Sequence, residues 1–114
     1  LAIPELVQKS AERLLDKYCG EKIPACARDQ VRLSYRVVGD AVTLYEERIS
    51  AADPSKWLAM GIAQFRFNAE LNQWTLHYSD RSNRWHFYLN AAPSLDFGKL
   101  LRVLDNDPLR MFWG

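Results

Sequence analysis

The sequence predicts an α+β domain: a five-stranded antiparallel meander sheet with an N-terminal and a C-terminal helix packed on one face. Three observations carry this expectation. Apolar residues recur at helical spacing near each end of the chain, they alternate at every second position through the middle, and short turn signals separate the alternating runs. With 114 residues the chain has the length of a single domain, 1–114. A domain of that size buries roughly two-thirds of the surface its unfolded form exposes, enough for a core without metal or disulfide staples.

Residues 4–18 read as the first helix. Ile3, Val7, Ala11, Leu14 and Tyr18, with Leu6 and Leu15 beside them, form one stripe, and Glu5, Lys9, Glu12, Arg13, Asp16 and Lys17 take the other face. Pro4 suits its first turn and Gly20 its stop. So short an amphipathic helix is marginal in water, and its stripe must dock on something. From Val31 the period changes to two, with Val31, Leu33, Tyr35 and Val37 on one face and Arg32, Ser34 and Arg36 on the other. Gly39-Asp40 is a two-residue hairpin signal whose leading glycine suits a type II′ turn. Pairing across it sets Val37 against Val42, Tyr35 against Leu44, Leu33 against Glu46 and Val31 against Arg48. Residues 50–59 read as a loop, with Trp57 covering an edge of the core.

Strand resumes at Met60. Phe65 and Phe67, then Trp74, Leu76 and Tyr78, then Trp85, Phe87 and Leu89 form the apolar faces of three strands. Four-residue turns at Glu70–Gln73 and Asp80–Asn83 would pair Phe67 with Leu76, Phe65 with Tyr78, Tyr78 with Trp85, Leu76 with Phe87 and Trp74 with Leu89. That register sends six of the seven aromatics in this stretch to the core face, Tyr88 being the exception. Ser94 is expected to cap a last helix running to about Leu104, with Phe97, Leu100, Leu101 and Leu104 inward. The apolar tail, Leu109 to Trp113, should fold back on the sheet.

Fifteen basic residues stand against fourteen acidic ones, a net charge of +1, and neither sign is gathered into a tail. Such a balance argues against a protein built chiefly to neutralise nucleic-acid phosphates or to lie on an anionic membrane. No apolar run approaches the roughly 18–20 residues that cross a bilayer. Leu1–Lys9 lacks the basic and long apolar regions of a secretory signal, so a cytoplasmic location is expected. Cys19 and Cys26 are spaced more widely than zinc-finger pairs, and no histidine lies near them. They read as two small thiols, and neither metal nor cofactor is expected.

The predicted register also composes the opposite face. Arg66 falls beside His77 and His77 beside His86, a row across three strands with Tyr88 at its flank. Arg66, His77, His86, Tyr88, Arg36 and Tyr45 are therefore the candidate binding residues. A solvated polar face is the plain reading of such a row. Two neighbouring histidines could also hold a metal, shuttle a proton or bind an anion beside Arg66. Glu46, on the core side, would need a partner, and Arg48, two residues along the same face, or Arg28 or Arg36 nearby could supply it. Tyr45 and Tyr88 among arginines resemble the stacking surface of single-stranded nucleic-acid binders, but no RNP consensus is present and Glu47 interrupts the cations. Gly-rich phosphate loops, nucleophile elbows and zincin motifs are missing. The expected function is a non-enzymatic binding module that meets a protein partner, or a second copy of itself, through the open sheet face. A small enzyme or metal or anion site on His77 and His86, and a single-stranded nucleic-acid binder, are the alternatives.

Several segments in order carry a family resemblance: Arg28 to Arg36, Gly39, Leu44-Tyr45-Glu46-Glu47-Arg48, Ile62 to Phe67, Arg84-Trp85-His86-Phe87-Tyr88 and Phe112-Trp113-Gly114. Together they resemble the small bacterial proteins of the domain-of-unknown-function 3024 family, over nearly the whole chain. Ile49 departs from the pattern, which leads one to expect Pro after the Glu-Glu-Arg step. The resemblance implies a one-domain bacterial protein and carries no activity, cofactor or catalytic residue with it.

Overall fold

A computed structural model describes residues 3–113; Leu1, Ala2 and Gly114, the last residue of the terminal motif, lie outside them. Helix α1 spans Glu5–Lys22, a short 3-10 turn spans Ala25–Ala27, and five strands follow: β1 Val31–Val38, β2 Ala41–Ile49, β3 Trp57–Asn68, β4 Gln73–Ser79 and β5 Trp85–Phe87. Helix α2, Phe97–Asn106, closes the chain. The strands form one antiparallel sheet in the order β1-β2-β3-β4-β5. This is the expected α+β meander.

Both helices bury their apolar sides on the same face of the sheet. Ala11 and Leu15 of α1 and Phe97, Leu100, Leu101 and Leu104 of α2 join Leu33, Val42, Leu44, Phe65, Phe67, Trp74 and Leu76 in one core. Aromatic contacts hold its centre: Phe97 lies 4.6 Å from Phe65 and 4.9 Å from Trp74, which in turn stands 5.1 Å from Phe67. Each of these fully buried side chains is worth about 1.5–3 kcal/mol of hydrophobic stabilisation. The helices are tied to each other at Asp105, which accepts from the Tyr18 hydroxyl at 3.0 Å and pairs with Lys22 at 2.9 Å.

Helix α1 runs through Gly20 rather than stopping there. The Arg28 side chain explains the extension: it donates to the Gly20 carbonyl at 2.6 Å and the Ile23 carbonyl at 3.1 Å, groups that a helix end leaves without partners. Helix α2 begins later than expected because Asp96, not Ser94, is its cap; the carboxylate accepts from the Lys99 N–H. Ser94 instead pairs with Trp74 by two backbone hydrogen bonds. At the other end of α2, Asp107 turns the chain at φ 42° and its carboxylate receives the N–H groups of Phe112 and Trp113. The tail thereby folds back over α2 and Tyr88, with Phe112 5.0 Å from the Tyr88 ring.

The first hairpin has the predicted register, Val37 opposite Val42 through Val31 opposite Arg48, about Gly39 at φ 60°. Three other features differ. Strand β3 starts at Trp57, because Ser50 closes the preceding loop: its backbone N–H bonds to Lys56 and its hydroxyl accepts from Ala52 and Asp53. Between β3 and β4 the pairs are Phe67 with Trp74, Phe65 with Leu76 and Ala63 with Tyr78, two residues from the expected register. A slip of two keeps every side chain on its face. Between β4 and β5 the slip is one residue, His77 with Phe87, Tyr78 with His86 and Ser79 with Trp85, and a slip of one exchanges the faces of β5.

Candidate functional site

The cause of that exchange is the turn. Asp80 and Arg84 close it with the Asp80 N–H donating to the Arg84 carbonyl, leaving a three-residue loop in place of four. Asn83 supplies the left-handed residue such a loop needs, at φ 62°. The Asp80 carboxylate collects the Ser82 and Arg84 N–H groups and the His86 ring, the last at 2.6 Å. Those bonds, that from His86 foremost, hold the Asp80 carboxyl down at about 2.

The consequence for the candidate residues is direct. His86 stands beside Tyr78 on the helix-bearing side, at the sheet edge, clipped to Asp80. Tyr88 is 2% exposed and packs between Tyr78 and Phe112 in the core. Neither belongs to the open face, and His77 and His86 form no pair there. Arg66 lies opposite Thr75, while His77 lies opposite Gln64. Arg36, Tyr45, Arg66 and His77 do share the open face.

Three aromatics absent from the expectation join them. Trp85 and Phe87 arrive with the β5 register, and Trp57 arrives because β3 begins three residues early. The signal was present in Asp80-Arg81-Ser82-Asn83: an Asp that can bind N–H groups ahead of it, and an Asn able to take positive φ at the third loop position. For Trp57, the turn residues Asp53-Pro54-Ser55 end early enough to let the strand begin at 57.

The open face is built in rows across the strands. Arg32, Glu47 and Ala59 make one; Ser34, Tyr45 and Gly61 the next; Arg36, Thr43, Gln64, His77 and Phe87 the third, which crosses all five strands. A bulge between Leu44 and Tyr45 leaves Ile62 unpaired on β3 and brings Gly61 opposite Tyr45. Gly61 has a steric role: a Cβ there would stand 3.1 Å from Cζ2 of Trp85 and 3.9 Å from Cε1 of Tyr45. Its lack of a side chain lets the Trp85 indole lie across the sheet beside Tyr45.

Guanidinium groups are interleaved with the rings. Arg32 lies 4.0 Å from the centre of the Trp57 ring, and Arg36 lies 5.0 Å from that of Tyr45. Arg32 also pairs with Glu47 at 2.6 Å. Arg66 donates through Nε to Gln64 Oε1 at 2.6 Å, and Gln64 Nε2 donates to the Thr43 hydroxyl at 3.0 Å. His77 is 7% exposed, with the Phe87 ring 5.8 Å away in edge contact and Nε2 2.8 Å from the Thr75 hydroxyl. Burial, reinforced by the positive charge of Arg66, pushes its pKa down to about 4, so the imidazole is neutral near pH 7. Its Nδ1 is buried and has no hydrogen-bond partner. Arg66, Asn68, Thr75 and His77 border a shallow cavity of about 470 Å³ at this end of the sheet.

The remaining constellations are structural. Glu46 pairs with Arg48 at 2.7 Å, as its place on the core side demands. Cys19 and Cys26 are both free thiols, and burial pushes that of Cys19 up to about 11. Among the described residues no three His, Cys, Asp or Glu side chains gather to hold a metal ion, and no helix is long and apolar enough to cross a membrane. What the open face offers is flat aromatic surface, guanidinium charge and a few buried polar atoms.

Comparison with known proteins finds no match among the curated proteins or the solved structures. The model of one protein family, described as a domain of unknown function (DUF3024), matches residues 3–114. With essentially its whole length covered, the chain belongs to the DUF3024 family.

Proposed function

We propose that the protein is a non-enzymatic binding module whose partner docks on the open sheet face. One observation carries the reading: Trp57, Tyr45, Trp85 and Phe87 are at least partly exposed on a face that neither helix covers, interleaved with Arg32, Arg36 and Arg66. Large rings are costly to leave in water, and aromatic and Arg side chains are the types that anchor interfaces. An active site built on His77 and His86 together lacks its geometry, since the two rings lie on opposite sides of the sheet. We read the protein further as bacterial and cytoplasmic; the family resemblance supports the first and the two free thiols the second.

The test is a crosslinking pull-down from cells with the wild type and an Arg36→Glu/Arg66→Glu variant, both checked for folding by circular dichroism. A partner captured by the wild type and lost with the variant supports the reading. Identical captures, or none by either, overturn it.

A further inference from the structure

We infer that the open sheet face binds single-stranded nucleic acid, with bases stacking on Trp85, Tyr45 and Phe87 and phosphates meeting Arg36 and Arg66. This deepens the binding-module reading and rests on it. The near-neutral net charge of the chain speaks against a duplex binder, because duplex affinity comes largely from neutralising many phosphates. It does not speak against a single-strand binder, in which stacking supplies about 1–3 kcal/mol per base.

Charge on this face is less balanced than on the molecule as a whole. Arg32, Arg36 and Arg66 stand against Glu47, and Glu47 is held by Arg32. Among the described residues neither Arg36 nor Arg66 reaches a carboxylate within ion-pair distance. Two guanidinium groups are thus left for an anion, one beside the Tyr45 ring and one at the edge of the cavity.

Ring placement points the same way. The indole of Trp85 lies against Gly61, where a Cβ would meet its six-membered ring, and it stays partly exposed on the open face; exposed rings are what an unstacked base stacks on. A duplex presents only base edges in its grooves and cannot use this surface. The cavity adds a polar end to the stacking row. Its borders include the buried His77, whose Nδ1 has no partner, and the Thr75 hydroxyl. Asp40 and Glu70, on turns at its rim, would repel a phosphate. A base edge, with donors and acceptors and no charge, is the group that suits this position, while the phosphates run past Arg36 and the outer nitrogens of Arg66.

The experiment is fluorescence anisotropy with a fluorescein-labelled oligothymidylate and oligouridylate of about 12 nucleotides, and with a duplex of the same length. Binding to the single strands, much weaker binding to the duplex and a log–log salt slope near about −1.4, the value for two phosphates, are expected. Trp85→Ala should weaken binding by about 5- to 150-fold, the range that loss of one stacked base gives. Arg36→Glu/Arg66→Glu should abolish it, with circular dichroism and melting showing that both variants stay folded. No binding to either single strand, equal binding to the duplex, or an undiminished affinity in both variants overturns the assignment. A nuclease-resistant protein partner captured through the same face would overturn it too, while leaving the binding-module reading intact.

Discussion

The two outer hairpins of the sheet, β1–β2 and β4–β5, differ in how firmly their turns state a register. In the first, Gly39 adopts φ 60° and a two-residue turn is the only short closure that places Val37 opposite Val42. In the second, Asp80, Arg81, Ser82, Asn83 and Arg84 allow closures of three or four residues, and side-chain bonds to Asp80 choose between them. One residue of loop length separates a sheet whose open face carries Tyr88 and His86 from one whose open face carries Trp85 and Phe87. The chemistry of the surface is therefore decided in a turn that touches none of it.

The strongest way to break this comparison is to truncate Tyr88. Packed between Tyr78 and Phe112 at 2% exposure, it should lose about 3–5 kcal/mol of stability as Tyr88→Ala, read from urea unfolding. Tyr45→Ala, on the open face, should cost under about 1 kcal/mol. A cheap Tyr88→Ala would mean that β5 takes the four-residue register after all.

Next in size are the two turns themselves. Gly39→Ala forces a side chain into the left-handed region and should cost about 1–2 kcal/mol. Asn83→Ala should cost less, about 1 kcal/mol, while Asn83→Gly should be neutral or stabilising. If Asn83→Ala proves silent in thermal melts, the loop does not need its left-handed residue and the stated origin of the register fails.

Legibility in the sequence follows the same division. Periodicity located both helices and the core they cover, since a stripe such as Ala11–Leu15 or Leu100–Leu104 has one way to hide from water. Gly39-Asp40 made the first hairpin readable to the residue. The β3–β4 slip left the faces intact, because alternation repeats every two residues and Phe65, Phe67, Trp74 and Leu76 stay inside in either register, but it moved Arg66 from beside His77 to beside Thr75. At β5 alternation offered no such protection. The run Trp85-His86-Phe87-Tyr88 has aromatics at both parities, so hydrophobicity could not distinguish the faces, and only Asp80 and the left-handed Asn83 could. Four of the six candidate residues, Arg36, Tyr45, Arg66 and His77, were legible on the open face for want of any such ambiguity in β1 to β4. Trp57 was hidden by a loop that ends earlier than its polarity suggested.

The finest test reads the His77 ring, which the β5 register brings into edge contact with Phe87. In the folded protein the ring takes its proton only near pH 4, whereas in the unfolded chain it does so near its ordinary value of 6.5. Above pH 6.5 the ring is neutral in both states and contributes no slope. As pH falls from 6.5 towards 4, the unfolded chain binds the proton first, so stability drops through that window and levels off with respect to this group below it. Urea midpoints for the wild type should therefore fall further between pH 7 and pH 4.5 than those of His77→Gln. Phe87→Ala should uncover the ring and raise its titration midpoint towards 6.5, followed by NMR of the imidazole protons. Arg66, which also opposes protonation, remains in that variant, so the shift should be incomplete. An unmoved midpoint in Phe87→Ala would place Phe87 away from His77 and return β5 to the register in which the two do not meet.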